Sequence, residues 1–279
     1  MNLSRLLEPS AYINKFKQFA GLGPQPIPPS YEGDGMCLRN KNMSALSDPK
    51  FISAYQHGMN SGHTIGRQSG SDQDTHVEFR AYIECWAASQ SLNVAGDLVF
   101  CGVNTGIFPL AIAEFIDLNA TGRNFWLFDT YEGIPERQAE EAERDGVRIM
   151  NAQHYTNVWD VAARNFSPYP NARLVKGIVP ETLSTVDIDR VSYLSIDMNI
   201  AFPERAALEF FWPKLSPGGT VIFDDYAFAG HSLQQRTINE FARSVGLSVL
   251  TLPTGQGLMQ KPPTVRAPSA AGGLPRSGR

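Results

Sequence analysis

"GDLVFCGVNTGIFPLAIAEFIDL", residues 96–118, sets the fold class. An apolar run, Leu98 to Cys101, ends at two closely spaced glycines, Gly102 and Gly106, and apolar residues then recur at helical spacing. A short, continuous apolar run bounded by glycine reads as a strand buried on both faces. The glycines permit a tight turn into the helix that follows. The same texture repeats downstream. "NFWLFDT", "ARLVKG", "VSYLSID" and "GTVIFDDY" read as strands, each followed by a helical or polar segment: the long insert, "VPETLSTV", "PERAALEFFWPKL" and "SLQQRTINEFARSVG". Strand–helix alternation of this kind implies an α/β domain, a doubly wound and mainly parallel sheet with helices on both faces. The last two runs, "SVLTLP" and "GLMQK", are separated only by "TGQ" and read as an antiparallel closing hairpin.

That domain is expected to span 96–261. Residues 1–95 form an N-terminal helical arm, cap and linker. Leu3, Leu6, Leu7, Ile13, Phe16 and Phe19 have loosely helical spacing, interrupted by Pro9. "GPQPIPPSYEGDG" reads as an extended connector, because each proline fixes φ. "SDPKFISAYQHGM" has a Ser-Asp-Pro helix start, residues 66–74 form a loop, and a further helix runs from Thr75 to about Ser91. Residues 262–279, rich in Pro, Gly and Ser, have little to bury and read as a disordered tail.

The 279 residues carry a formal net charge of −4 and are 42% hydrophobic. That balance argues against a nucleic-acid partner, which needs clustered Lys and Arg. No run approaches a membrane span, which takes about 20 apolar residues, and the N-terminus lacks a signal-peptide pattern. Three cysteines without a C-x-x-C pair point to a reducing, cytoplasmic setting. The apolar arm makes a homo-oligomer, a dimer or larger, the expected assembly.

In open parallel sheets, ligands sit outside the carboxyl ends of the strands. Four acids stand at those ends. Asp129, about 25 residues past the glycine turn, suits a ribose diol, or else caps a turn. Asp197 ends "LSID", and Asp224 and Asp225 end "GTVIFDD". Adjacent carboxylates repel, and a divalent cation such as Mg²⁺ would relieve that by binding their oxygens together with waters and substrate. The alternative is that Asp225 caps the next helix while Asp224 orders a loop.

In order and spacing, "GDLVFCGVNTG", "FWLFDTYEGIPE", "VKGIVPETL", "SIDMN" and "LSPGGTVIFDDY" resemble the macrocin O-methyltransferase family, which includes sugar O-methyltransferases of antibiotic biosynthesis. The resemblance implies a class I (Rossmann-like) methyltransferase fold with a seven-stranded sheet, S-adenosylmethionine (SAM) as donor, and Mg²⁺. It implies that Cys101, Gly102, Val103 and Gly106 line the methionine part of SAM. Asp129 takes the ribose hydroxyls with Thr130 and Tyr131 beside it, and Gly177 and Ile178 border the adenine. Asp197, Asp224 and Asp225 match the metal carboxylates, and Asp197 also matches the general base. Two positions depart from the family pattern: Phe100 stands where a glutamate is frequent, and Asn199 where a second aspartate is frequent.

The function implied is a Mg²⁺-dependent SAM O-methyltransferase acting on a small hydroxylated acceptor, a sugar or glycosylated natural product. His231, six residues beyond Asp225, is a second candidate base with a suitable ordinary pKa, and His154 a third. The insert 133–160 reads as a lid carrying Tyr155 and Trp159 as stacking surfaces, or as a solvated charged helix. A non-catalytic SAM-binding module and a nucleotide-dependent oxidoreductase are the alternative readings. The latter lacks its dinucleotide glycine pattern.

Overall fold

The computed structural model describes residues 27–65 and 74–263. The N-terminal apolar positions Leu3 to Phe19, residues 66–73 and the tail from 264 onward lie outside the described residues.

The sheet is built around β3 (Asp97–Cys101), whose side chains alternate between two separate cores. Leu98 and Phe100 enter one core and Val99 and Cys101 the other, all fully buried. That is why the run is continuously apolar: a strand covered on both faces has no solvent side to leave polar. Beside β3 on one flank lie β4 (Phe125–Asp129) and then β5 (Ala172–Lys176). On the other flank lie β6 (Val191–Ile196), β7 (Leu215–Phe223), β9 (Gly257–Gln260) and β8 (Leu250–Thr251), giving seven strands in the order β5-β4-β3-β6-β7-β9-β8. β3 to β7 pair in parallel, while β9 runs antiparallel to both β7 and β8. The expected doubly wound sheet with a closing hairpin is therefore present.

Helices α1 (Pro49–Met59), α2 (Glu78–Ser91), α3 (Ile107–Phe115) and α6 (Trp159–Phe166) contribute to the first core through residues such as Phe51, Ala81, Phe108 and Phe166. Helices α7 (Ala201–Phe211) and α8 (Ser232–Ser244) contribute to the second through Leu208, Phe211 and Phe241. A short α4 (Leu118–Thr121) follows α3, and α5 (Arg144–Gln153) lies in the long insert. α1 begins as its sequence predicts: Asp48 accepts the Lys50 amide at 2.8 Å, with proline in the first turn.

α2 is held at both ends. At its start the Tyr55 hydroxyl, from α1, accepts the Val77 amide at 3.1 Å and donates to Asp74. At its end the Arg123 guanidinium donates to the carbonyls of Ser91, Leu92 and Val94. These bonds satisfy carbonyls that a helix terminus otherwise leaves open.

Three local features differ from the sequence reading. At the end of the connector and just past it, residues Pro29–Gly33 (β1) and Met36–Arg39 (β2) pair as an antiparallel hairpin. Its turn residues, Asp34 and Gly35, both adopt positive φ, the geometry that Asp-Gly favours. This hairpin belongs to a unit ending at Ala45, and the unit holding the sheet begins at Leu46. "VPETLSTV" forms only a short 3₁₀ turn at Leu183–Thr185. The predicted helix from Thr75 begins at Glu78.

Candidate active site

The strand register builds the site. Phe128, Cys101, Ile196 and Phe223 lie opposite one another across β4, β3, β6 and β7. The next residue on each strand is therefore Asp129, Gly102, Asp197 and Asp224, a row along the carboxyl edge. The ladder extends to three of them, with Gly102, Asp197 and Asp224 donating their amides to Phe128, Cys101 and Ile196. Beyond β3 the chain runs outward to β4 and β5, then returns to β6 on the other side. The row thus spans the point where connections diverge, the usual ligand crevice of such sheets. Gly102 is required there: its φ is +97°, and a Cβ would collide with the Asp197 carbonyl oxygen.

A cavity of about 240 Å³ opens over this row. Gly102, Val103, Asp129, Thr130, Tyr131, Gly177, Asp197, Asp224 and Asp225 line it, together with Arg80, Asn104, Gln138, Tyr155 and Asn199. Three expected cofactor contacts do not line the cavity. Cys101 is fully buried in the core behind the row. Gly106 supplies the left-handed residue that starts α3. Ile178 turns into the next loop, where its carbonyl accepts the Thr182 amide at 3.0 Å.

Asp129 knits the glycine turn. One carboxylate oxygen accepts the Val103 and Asn104 amides at 2.6 and 2.7 Å, and the other accepts the Tyr131 amide at 2.5 Å. Burial raises its pKa against the pull of these amides. Tyr131 lines the cavity with its ring side only, since its buried hydroxyl donates to the Leu127 carbonyl. Two side-chain atoms at the cavity are buried without a hydrogen-bond partner: the Asn104 Nδ2 donor and the Gln138 Oε1 acceptor. The Gln138 Nε2 is fixed by donating to the Val179 carbonyl at 2.8 Å.

The adjacent acids Asp224 and Asp225 meet a cation that sequence reasoning missed. Arg80 Nε donates to Asp224 Oδ1 at 3.1 Å, its Nη2 pairs with Asp224 Oδ2, and the same Nη2 lies 3.7 Å from Asp225 Oδ1. Gln256 Nε2 donates to Asp224 Oδ1 at 3.0 Å. Asp197 faces Asp225: burial pushes its carboxyl well above the usual range, the Asp225 charge pushes it further, and Arg80 opposes both. Buried Glu204 is raised for the same reasons, burial first and then Asp225. Asn199 donates to Asp197 at 3.4 Å. It also bonds the Tyr155 hydroxyl, whose pKa is raised chiefly by burial and then by Asp197 and Asp225.

The histidines fare differently. His231 bonds Gln234 Oε1 through Nδ1 at 2.6 Å, and Gln234 in turn donates to Glu204. His231 and His154 are both absent from the cavity wall, although His154 precedes Tyr155, which lines it. Trp159 packs edge-on against Tyr131, 5.2 Å between centroids, and carries Lys176 over its ring. It is part of the core edge, not a surface facing the cavity. Among the described residues, one group of three potential metal ligands converges within 4.8 Å, and it is Asp74, His76 and Glu78, not Asp197, Asp224 and Asp225.

The strand order and the crevice at the parting of β3 and β6 define a class I SAM-dependent methyltransferase fold. Two solved structures share it: the O-methyltransferase NovP, with a TM-score of 0.61 at 20% identity over 78% of this chain and 97% of that one, and the calicheamicin methyltransferase CalS11, with 0.53 at 17% identity over 83% and 99%. The chain belongs to the macrocin-O-methyltransferase (TylF) family, which matches residues 78–249. It is 32% identical over 143 residues to the 8-demethyl-8-(2,3-dimethoxy-alpha-L-rhamnosyl)-tetracenomycin-C 4'-O-methyltransferase of Streptomyces olivaceus, covering 48% of this chain and 54% of that protein. To the mycinamicin III 3''-O-methyltransferase of Micromonospora griseorubida it is 30% identical over 180 residues, covering 57% and 69%. The match to the first of these thus spans about half of that protein's length. Among the described residues, no helix is long and apolar enough to cross a membrane.

Proposed function

We propose that this protein transfers the methyl group of SAM to a hydroxyl of a small molecule, a sugar or glycosylated natural product. The observation that carries this reading is the row Asp129, Gly102, Asp197 and Asp224 under one cavity, in a chain of this family. The cavity suits SAM. Asn104 Nδ2 offers a donor without a partner and Gln138 Oε1 an acceptor without one.

SAM supplies, when bound, a sulfonium-activated methyl group. The protein's own share is to hold an acceptor hydroxyl in line and to take its proton. Asp197 is the group placed for this. Its raised pKa makes it a stronger base than an ordinary carboxylate, and Asn199 and the Tyr155 hydroxyl beside it orient that edge. The insert 133–160 is proposed as a lid: Ile134, Pro135, Gln138, Tyr155 and Thr156 all line the cavity. The homo-oligomer expected from the sequence is part of the same proposal, and analytical ultracentrifugation of the full chain reads it.

Mg²⁺, the other group the family resemblance implies, does not fit this donor set as a three-carboxylate site. Both oxygens of Asp224 are engaged by Arg80 and Gln256, and the three acids do not converge to ligating distance. The reaction reading is tested by titrating S-adenosylhomocysteine calorimetrically, then incubating with SAM and a panel of glycosylated acceptors under mass spectrometry. A mass gain of one methyl group on an acceptor supports it. Absence of any S-adenosylhomocysteine binding overturns it.

A further inference from the structure

We infer that Arg80 is the built-in counter-cation of the Asp224–Asp225 pair and holds, in this chain, the place a divalent ion would otherwise take. Four observations converge on that side chain. Its guanidinium forks onto both oxygens of Asp224, through Nε and Nη2. The same Nη2 reaches toward Asp225, so one group spans both acids. It lies over two aromatic rings, with the guanidinium carbon 5.4 Å from the Phe108 centroid and 5.2 Å from that of Phe228. Gln256 then occupies the remaining acceptor capacity of Asp224 Oδ1.

Chemistry favours this arrangement over a shared ion. A guanidinium is planar, always charged and matched to a carboxylate as a two-pronged donor. A Mg²⁺ ion demands near-octahedral oxygen donors at short range and gives up water reluctantly. Asp224 is 1% exposed, so it has no room to exchange partners without expelling Arg80. Position 199, within reach of Asp197, is an amide that donates to that carboxylate and so gives it a neutral partner.

Arg80 thereby acts as a positioning residue. It fixes the Asp224–Asp225 edge and sets a permanent positive charge at the cavity wall, beside Asp197. The role does not depend on which acceptor is methylated.

The test reads metal binding and not turnover, so it stands apart from the methyl-transfer reading. The full chain is stripped with EDTA and titrated with Mn²⁺, following the free-ion signal by electron paramagnetic resonance, and S-adenosylhomocysteine binding is measured on the same samples. Wild type is expected to leave Mn²⁺ free at micromolar concentrations. Arg80→Met, which keeps the stem and removes the charge, is expected to gain affinity by about tenfold or more as the paired carboxylates open to the ion. Stoichiometric micromolar Mn²⁺ binding by wild type overturns the proposal, and so does an Arg80→Met protein that folds and gains nothing. Should Arg80→Met not fold, Arg80→Lys serves: its single ammonium cannot fork across both acids, and a gain smaller than that expected for Met supports the proposal while no gain overturns it. Should neither variant fold, the wild-type titration decides alone.

Discussion

At the scale of single residues, the site separates groups by what already holds them. Asp197 keeps an edge toward the cavity and a raised pKa, whereas His231 is tied to Gln234 and through it to Glu204. Replacing Asp197 by Asn removes the proposed proton acceptor without changing size. Turnover should fall by about a hundredfold or more, with S-adenosylhomocysteine affinity unchanged. His231→Ala should stay within about threefold of wild type. Steady-state kinetics with calorimetry on both variants checks the pair; the opposite ranking would move the base to the histidine. The sequence pointed to His231 because it is six residues past Asp225. The 3₁₀ turn Ala229–His231 leads directly into α8, and His231 does not line the cavity. Arg80 failed to show for the converse reason. Its partner is 144 positions away, and nothing within "VEFRAY" distinguishes it from a solvated helix arginine.

At the scale of elements, the strand ends were readable and their partners were not. Continuous apolar runs ending in Gly or Asp mark strands and their carboxyl ends directly, so Asp129, Asp197 and Asp224 could be set in one row from sequence. Which helix covers that row depends on packing that no local pattern states. α1 illustrates the packing. Gly58 lies where α1 meets the start of α3, and a Cβ there would run into the Ile107 carbonyl oxygen. Helix propensity alone predicts that Gly58→Ala stabilises by roughly 1 kcal/mol. The steric conflict with backbone should win, giving a net loss of about 2 kcal/mol. Urea unfolding decides the sign, and a stabilised variant would refute the close contact. The insert is the other element at issue. It is pinned to the sheet unit at a few points: Glu143 accepts the Ala201 amide at 2.8 Å, and Val147 packs with Ile200 and Ala139. A lid hinged on so small a cluster should be cut by protease between residues 133 and 160 and be protected by S-adenosylhomocysteine with acceptor. An unchanged cleavage pattern would remove the lid from the account.

At the scale of the whole molecule, the acids around Arg80 make folding stability depend on pH in an unusual direction. Glu84 lies one helical turn from Arg80 on α2, is fully buried, and accepts from the Tyr193 and Ser195 hydroxyls. Burial pushes its pKa from 4.5 up to about 7, against these hydrogen bonds and the Arg80 charge. Between those two values the folded chain holds a proton that the unfolded chain has released. Stability is therefore greatest below pH 4.5 as far as this group is concerned, and falls as pH rises toward 7. The difference is about 3 kcal/mol for Glu84 alone. Asp197 and Glu204 are raised in the same sense and add to the slope. Glu84→Gln imitates the protonated acid, so it should flatten that part of the profile and leave the protein more stable than wild type at pH 8. Chemical denaturation at several pH values from 4.5 to 8 measures both slopes. Identical slopes in the two proteins would mean that Glu84 is ionised in the folded state across the whole range, with Arg80 charging Glu84 as well as pairing Asp224.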